Sequence, residues 1–292
     1  MVLLEGKKTA NQIKEEIKTS VEALVKKGNR PPHLAAVLVG NDGASLTYVG
    51  SKVKSCQYVG FESTLLHLNE HTTEEELLQY IKTFNEDSKI DGYIVQLPLP
   101  KHINEEKILL AIDPEKDVDG FHPSNFGRMA LEMEAFIPAT PYGIIELLER
   151  YAIQTSGKHC VVVGRSNIVG RPISILMSQK GTAGNATVTL AHSRTNNLAD
   201  LTRQADIIVI ALGIPEFLKA DMVKEDVVII DVGITRVADV THPKGYRITG
   251  DVAFDEVAPK SSYITPVPGG VGPMTIAMLL KNTLLGYKRK FR

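Results

Sequence analysis

Apolar and polar positions follow helical and strand-like patterns in turn along the chain. Near the start, apolar residues recur at helical spacing and predict a first helix; they are Ile13, Ile17, Val21, Leu24 and Val25. The next run, LAAVLVG from Leu34 to Gly40, has strand length and no alternation, which favours a strand buried on both faces. NDGAS then predicts a turn, and a second helix follows from roughly Ser45 to Tyr58.

The same order of elements repeats downstream. STLLHL predicts a strand, and TTEEELLQYIKTFNED predicts a helix capped by Thr72 or Thr73. GYIVQLPLP predicts a strand that ends at Pro98 and Pro100. Strands that alternate with helices are typical of a parallel sheet with helices on its faces.

A long polar segment, Asp113 to Pro141, separates two halves of the chain, and a loop of this length is usually functional or a linker. TPYGIIELLERYAI then predicts a helix capped by Thr140, with Pro141 in its first turn. Four buried-type strands follow: KHCVVVG, ATVTLAH, ADIIVIALG and VVIIDVG. The chain ends on a predicted helix that starts at Pro273 or Thr275. These patterns predict an α/β fold of two domains.

Composition narrows the function classes. The chain of 292 residues has 33 Lys+Arg against 34 Asp+Glu, so its net charge of -1 favours neither nucleic acid nor an acidic membrane as a partner. Cys56 and Cys160 form no CxxC pair, so we expect no metal site and a reducing compartment. The N-terminus resembles no targeting segment and no apolar stretch reaches membrane-spanning length, which predicts a cytoplasmic protein.

A glycine-rich turn lies in HCVVVGRSNIVGRPISILM, directly after a strand and before a helix. This is the setting of a Rossmann-type turn, in which Gly164 permits the tight turn, Gly170 permits close helix packing and free N–H groups face a pyrophosphate. Ser166 and Val169 stand where the later glycines of GxGxxG would be. On this string alone, a turn without a ligand is an equally good interpretation.

The next strand bears on the choice of cofactor. It ends in ATVTLAHSRT, with Ser193 and Arg194 where an NAD-binding fold usually has an acidic residue for the ribose. Arg165 lies in the first turn, and two guanidinium groups with a hydroxyl suit a 2′-phosphate. The residues therefore favour NADP over NAD, although the arginines could also be solvated surface charges.

Five strings, in order, match one known family. They are YVGSK (Tyr48–Lys52), NEDSKIDGYIVQLPLP (Asn85–Pro100), DVDGFHP (Asp117–Pro123), GRSNIVGRP (Gly164–Pro172) and PGGVGPMTI (Pro268–Ile276). Over essentially its full length, the chain resembles the bifunctional methylenetetrahydrofolate dehydrogenase/methenyltetrahydrofolate cyclohydrolase family. One string departs: the family often has PCTP where this chain has PATP, with Ala139. A cysteine there is therefore not needed for the chemistry of this chain.

The resemblance implies a catalytic role for Lys52, with Gln96 positioning it and Tyr48 stacking on or positioning the folate. Tyr48 and Lys52 are four residues apart on a predicted helix and so share one face. A partly desolvated lysine can act in proton transfer because its pKa is lowered. Without the resemblance, Lys52 would be a solvated lysine, Tyr48 a core residue and Gln96 an amide bonded to nearby backbone.

The resemblance also implies that Asp119 binds the pterin, since a carboxylate accepts paired N–H donors of an aminopyrimidine edge. Asp117 is the rival, with a loop-structuring role as its alternative. Substrate contacts are further expected from the PGGVGP segment, at Pro268, Gly269 and Gly272. Thr275 is either a helix cap or a cofactor contact. The full set of expected cofactor contacts is Gly164, Arg165, Ser166, Ile168, Gly170, Ser193, Arg194, Ile234 and Thr275.

The combined prediction is a folate-binding catalytic domain over residues 1–139, onto which a helix at 273–292 folds back, and a Rossmann-type NADP-binding domain over 140–272, with a cleft between them. The expected reaction oxidises 5,10-methylenetetrahydrofolate with NADP and hydrolyses the methenyl product to 10-formyltetrahydrofolate, in one-carbon metabolism and purine biosynthesis. The resemblance implies a homodimer and no metal. The alternatives are a dehydrogenase for another small substrate without the hydrolase step, and a non-catalytic NADP-binding module.

Overall fold

The computed structural model describes residues 1–241, 243 and 245–291. The helices are α1 (Gly6–Lys26), α2 (Gly43–Val59), α3 (Glu74–Glu86), α4 (Glu105–Ala111), α5 (Pro123–Ala130), α6 (Ala139–Arg150), α7 (Gly170–Ser178), α8 (Leu198–Gln204), α9 (Phe254–Val257) and α10 (Val271–Arg289). The strands are β1 (Val2–Leu3), β2 (His33–Val39), β3 (Glu62–Leu68), β4 (Gly92–Val95), β5 (His159–Val163), β6 (Thr187–Ala191), β7 (Ile207–Ile210), β8 (Val227–Asp231), β9 (Thr235–Ala238), β10 (Tyr246–Thr249) and β11 (Ser261–Ile264).

The chain divides into two compact units. The first contains Asn11–Ala139 and the residues from Ile276 onward, and the second contains Met1–Ala10 and Thr140–Thr275. The sequence had placed residues 1–10 in the first domain. In the structure β1 pairs in parallel with β11, so the start of the chain belongs to the sheet of the second unit.

A three-stranded parallel sheet in the order β3-β2-β4 organises the first unit. Strand β2 is central, and its residues from Leu34 to Val39 are all buried, as the unbroken apolar run predicted. Helix α3 begins at a capping box in which Thr73 and Glu76 each accept the other's backbone N–H. This settles the choice between the two candidate threonine caps.

Helix α5 corrects one prediction. The polar segment from Asp113 to Pro141 was predicted to be a loop, but Pro123–Ala130 is helical and is capped by the ring of His122, which accepts from the backbone N–H of Ser124 at 3.1 Å. The buried Asn125 fixes this short helix by donating to the carbonyl of Pro114 at 2.9 Å. Tertiary contacts rather than periodicity stabilise an eight-residue helix, so the sequence pattern missed it.

A six-stranded parallel sheet in the order β1-β11-β8-β7-β5-β6 organises the second unit. The four strands predicted in this half are β5 to β8. Strand β6 is at the edge of the sheet and is partly exposed, so it is not the fully buried strand that its apolar run suggested. The sequence pattern missed β1, β11 and the antiparallel pair of β9 and β10. The mixed fold with parallel sheets confirms the predicted α/β class.

Candidate functional site

Helix α2 carries the first group of candidate residues. Its N-terminus is capped by Asp42, whose carboxylate accepts from the backbone N–H of Ser45 at 2.8 Å, and Gly60 ends it in the left-handed conformation. Tyr48 and Lys52 lie one turn apart within it, so both side chains project from the same face.

Lys52 is buried, with 5% of its surface exposed, which rules out the solvated-lysine alternative. Its Nζ donates to Oε1 of Gln96 at 3.2 Å and lies 4.4 Å from the centroid of the Tyr48 ring. Burial lowers the pKa of Lys52, and the negative charge of Asp119 partly offsets this effect.

Gln96 holds its amide oxygen towards Lys52 through two further bonds. Strand β4 ends one residue earlier, and the backbone N–H of Gln96 donates to Val37 at 2.8 Å. The side-chain Nε2 donates to the carbonyl of Leu97 at 2.7 Å. Because the amide nitrogen is engaged by a carbonyl, the amide oxygen is the atom that faces the ammonium group.

Asp117 and Asp119 have different environments. The buried Asp117 accepts from the backbone N–H of His122 at 2.8 Å and from the side chain of Asn125 at 3.0 Å, so it structures the loop. Asp119 is partly buried, and its carboxylate has no hydrogen-bond partner among the described residues. Burial raises the pKa of Asp119, and the charge of Lys52 opposes that rise. Of the two carboxylates, Asp119 is therefore the one available for a ligand near Lys52.

Cys56 extends the face of α2 that carries Tyr48 and Lys52. It lies four residues beyond Lys52 and is buried, and burial raises the pKa of its thiol to about 12. It is therefore a neutral thiol beside the lysine. The cysteine pattern had indicated only that Cys56 belongs to no CxxC pair. Its i+4 spacing from Lys52 was the signal that could have placed it here.

The glycine-rich turn begins where β5 ends, in the second unit. Gly164 has a φ of +121°, and a Cβ there would lie 2.4 Å from the carbonyl oxygen of Ala211. Gly170 starts α7, and a Cβ there would lie 2.0 Å from the carbonyl oxygen of Gly164. The hydroxyl of Ser166 accepts from the N–H of Gly170 at 3.3 Å. Both glycines are thus required by close backbone approach, and the Ser166 hydroxyl occupies the first backbone N–H of α7.

Arg165 and Ser193 lie on the loops that follow two neighbouring strands. Strands β5 and β6 are parallel and are paired up to Val163 and Ala191, so both loops leave the sheet at its carboxyl edge. Ser193 and Arg194 are exposed, as are Arg165, Ser166 and Ile168. Two guanidinium groups and two hydroxyl groups are therefore available on adjoining loops.

The PGGVGP segment lies in the second unit, after β11. Its Val267–Pro268 peptide bond is cis, and Gly269 has a φ of +109°. Gly272 lies against the exposed Ile234, since a Cβ at Gly272 would be 3.2 Å from Cδ1 of that side chain. These expected substrate and cofactor residues follow the carboxyl ends of β8 and β11.

Thr275 is inside α10, which begins at Val271, so it is not the cap of that helix. Its hydroxyl is 3.0 Å from the hydroxyl of Thr140. The predicted cap of α6 is also inside its helix, because α6 starts at Ala139.

Neither a metal-binding cluster nor a membrane-spanning helix occurs in the described part of the chain. Among the described residues, no group of three or more His, Cys, Asp or Glu side chains is arranged to hold a metal ion. Among those same residues, no helix is long and apolar enough to cross a membrane.

These arrangements are those of a nucleotide-dependent enzyme, and comparison with known proteins gives its family. Residues 4–119 match the catalytic domain of tetrahydrofolate dehydrogenase/cyclohydrolase. Residues 138–291 match the NAD(P)-binding domain of the same family. The chain belongs to the tetrahydrofolate dehydrogenase/cyclohydrolase family, which confirms the resemblance in the five strings.

Individual relatives agree over the full length. The bifunctional protein FolD of Flavobacterium johnsoniae is 71% identical over 290 residues, which is 99% of this chain and 98% of the relative. The crystal structure of the bifunctional FolD enzyme of Campylobacter jejuni has a TM-score of 0.93 at 50% identity, covering 99% of both chains. The Trypanosoma brucei FolD, solved with NADP cofactor and an inhibitor, has a TM-score of 0.94 at 38% identity, covering 100% of this chain and 99% of that one.

Proposed function

We propose that the protein oxidises 5,10-methylenetetrahydrofolate to 5,10-methenyltetrahydrofolate with NADP and then hydrolyses this product to 10-formyltetrahydrofolate. The observation that carries the proposal is the buried Lys52 ammonium, hydrogen-bonded to Gln96 and facing the open carboxylate of Asp119. A non-catalytic NADP-binding module has no use for such a group, since a buried charge is costly to maintain.

Cofactor binding is assigned to the carboxyl edge of the six-stranded sheet. When bound there, NADP accepts the hydride, which is chemistry that the protein itself does not supply. Close backbone packing at Gly164 and Gly170 fixes the turn before α7. The N-terminus of α7 would then face the pyrophosphate. Arg165, Ser193 and Arg194 bind the 2′-phosphate, and the choice of NADP agrees with the cofactor of the Trypanosoma brucei relative.

Folate binding is assigned to Asp119 and Tyr48. The carboxylate of Asp119 accepts paired N–H donors from the aminopyrimidine edge of the pterin. The ring of Tyr48 positions the folate, and its place 4.4 Å from Nζ of Lys52 brings the ligand to the lysine. Pro268, Gly269 and Gly272 provide further substrate contacts, and Ile168, Ile234 and Thr275 provide further cofactor contacts.

Lys52 manages protons in the hydrolytic step. The methenyl carbon is electrophilic because the ion is positively charged, so the protein has to position a water molecule and move protons as the ring opens. The lowered pKa of Lys52 suits proton exchange better than that of a solvated lysine. Gln96 keeps the ammonium group in place.

The proposal also covers domain roles, assembly and location. The first unit acts as the folate-binding catalytic part and the second as the NADP-binding part. The protein works as a cytoplasmic homodimer that supplies one-carbon units, including those for purine biosynthesis. Light scattering on the purified protein tests the dimer directly: a monomer at micromolar concentration would contradict it.

One assay separates this function from its alternatives. Purified protein is mixed with 5,10-methylenetetrahydrofolate and NADP, and the reduced cofactor and both folate products are followed. We expect NADPH and 10-formyltetrahydrofolate to form together. NADPH with methenyltetrahydrofolate alone would indicate a dehydrogenase without the hydrolase step, and no turnover with intact NADP binding would indicate a binding module.

A further inference from the structure

Two buried carboxylates in the second unit have no place in the function proposed above. Asp231 ends β8 with 3% of its surface exposed, and Asp251 follows β10 with none exposed. A carboxylate is stable in such surroundings only when several hydrogen bonds replace its lost hydration. The donors of those bonds are backbone N–H groups of loops at the carboxyl ends of the strands.

Asp251 holds the loop that follows β7. One of its oxygens, Oδ2, accepts from the backbone N–H of Leu212 at 2.6 Å and of Gly213 at 3.0 Å. Its other oxygen, Oδ1, is buried without a hydrogen-bond partner in the described structure. Gly233 lies against that oxygen, since a Cβ at Gly233 would be 2.4 Å away from it.

Asp231 holds two further segments. Its Oδ1 accepts from the backbone N–H of Gly233 at 2.9 Å and of Asp251 at 3.0 Å. Its Oδ2 accepts from the N–H of Val252 at 3.0 Å. The loop after β8, which carries the exposed Ile234, is therefore tied to the segment that carries Asp251.

Thr265 adds the loop after β11. Its hydroxyl accepts from the backbone N–H of Asp231 at 2.7 Å. Thr265 comes directly after β11 and directly before the segment that contains the cis Pro268 and Gly269. Because β7, β8 and β11 are parallel, the three loops leave the same edge of the sheet.

The loop that Asp251 holds also touches the glycine-rich turn. A Cβ on Gly164 would lie only 2.4 Å from the carbonyl oxygen of Ala211, which is one residue before Leu212. A shift of the Ala211–Gly213 backbone would therefore be passed directly to Gly164. Closely packed backbone of this kind leaves little room for independent movement.

We propose that Asp251, Asp231 and Thr265 form a positioning cluster that holds the three loops in the arrangement required to bind the dinucleotide cofactor. The cluster acts through the backbone and does not touch the cofactor. The inference rests on the proposed placement of NADP at this edge of the sheet. Preorganised loops bind a ligand more tightly because less ordering is left to occur on binding.

Two substitutions and two matched controls test the cluster. Asp251→Val removes the acceptor for two N–H groups, and Thr265→Val removes one acceptor while keeping the shape of the side chain. Asp206→Val is the matched carboxylate control, because Asp206 also accepts a backbone N–H, that of His159 at 2.8 Å, but precedes β7 at the opposite edge. Thr202→Val is the matched hydroxyl control, because Thr202 is buried within α8 and donates to the carbonyl of Leu198.

The measurements are the Kd for NADP by calorimetry, with KM for NADP and kcat, on variants whose melting temperatures show that they are folded. We expect the Kd to rise at least about tenfold for Asp251→Val and at least about threefold for Thr265→Val, with KM rising more than kcat falls. Asp251→Asn should bind NADP better than Asp251→Val, because its amide oxygen restores the acceptor. If Asp251→Val does not fold, the comparison of Thr265→Val with Thr202→Val decides the matter, with a Kd at least about threefold above wild type expected for Thr265→Val alone.

Two results would overturn the inference. One is a Kd within about twofold of wild type for each folded valine variant of the cluster, Asp251→Val and Thr265→Val. The other is an equal loss of affinity in Asp206→Val or Thr202→Val, since that would reflect general destabilisation. A wild-type protein that does not bind NADP would overturn the proposed function itself, and is thereby distinguished from failure of the cluster alone.

Discussion

Neighbouring residues give the side chains of Lys52 and Asp119 their properties. The sequence placed both in characteristic strings. It could not show that Lys52 is buried against Gln96, or that the carboxylate of Asp117 accepts hydrogen bonds from the loop backbone. Those facts depend on contacts between residues far apart in the chain. The sequence indicated which residues matter, and three-dimensional packing distinguishes the structural carboxylate from the available one.

Asp119 gives a prediction on folate affinity. Replacing it with Ala leaves the N–H donors of the pterin without an acceptor, which should weaken folate binding by about 1–3 kcal/mol or more. NADP affinity should be unchanged. Calorimetry with a folate ligand measures both effects, with Asp117→Asn as the control. Normal folate binding in Asp119→Ala, together with weak binding in Asp117→Asn, would move the role to Asp117.

Asp117 gives a prediction on pH dependence. Burial raises its pKa from 3.8 to about 7 in the folded protein. The folded state therefore holds this proton where the unfolded state has already lost it, so the stability that Asp117 contributes falls as pH rises from about 4 to about 7. Asn cannot ionise and avoids this loss. The difference in melting temperature, Asp117→Asn minus wild type, should be more positive at about pH 8 than at about pH 5. An equal difference at both pH values would contradict the argument.

Arg165 gives a prediction on cofactor choice. The wild-type protein should use NADP with much higher catalytic efficiency than NAD, and Arg165→Ala should narrow that gap by weakening NADP. Arg203→Ala is the control, since Arg203 is an exposed arginine of α8 that pairs with Asp200. Kinetics with both cofactors test this. Equal efficiencies in the wild-type protein would refute the 2′-phosphate assignment.

At the scale of elements, the sequence predicted strongly patterned segments well. Strand β2 and helix α2 lie within two residues of their predicted positions, because the unbroken apolar run of β2 and the Asp42 cap of α2 are features of short, contiguous stretches of sequence. Helix α5 and strands β1 and β11 were missed. Each is short and is stabilised by partners distant in sequence, as Asn125 is by Pro114, and periodicity does not record such partners.

Helix α10 gives a prediction on stability. The buried side chain of Asn282 donates to the carbonyls of Val118 at 2.8 Å and Ile137 at 2.9 Å. It therefore holds both ends of the segment from residue 118 to residue 137, which contains Asp119. Asn282→Ala leaves these acceptors unsatisfied and should cost about 1–3 kcal/mol in the free energy of unfolding, measured with urea. Asn11→Ala, at an exposed position of α1, is the control and should change stability little. A neutral Asn282→Ala would show that water replaces the amide.

At the scale of the whole molecule, the family was predictable from five strings spread along the chain, and both family models confirm it. The assignment of residues 1–10 to the second unit was not predictable, because the two residues of strand β1 are too few to indicate which strand they pair with. The two activities of the proposed bifunctional enzyme differ in their need for a protein acid–base group, and this difference can be tested at a single residue. Hydride transfer needs no protein group to take the hydride, whereas hydrolysis needs an acid–base group.

The decisive measurement is therefore the hydrolysis of methenyltetrahydrofolate by Lys52→Met without NADP, corrected for the spontaneous reaction. Met keeps the length of the side chain and removes its charge and its proton. We predict that cyclohydrolase activity is nearly abolished while some dehydrogenase activity remains, so that methenyltetrahydrofolate accumulates and is visible by its absorbance. Gln96 variants should impair the same step, because they disturb the position and pKa of Lys52. Hydrolysis at the wild-type rate in Lys52→Met would contradict the account, and loss of both activities in a folded variant would mean that Lys52 orients the folate for both steps.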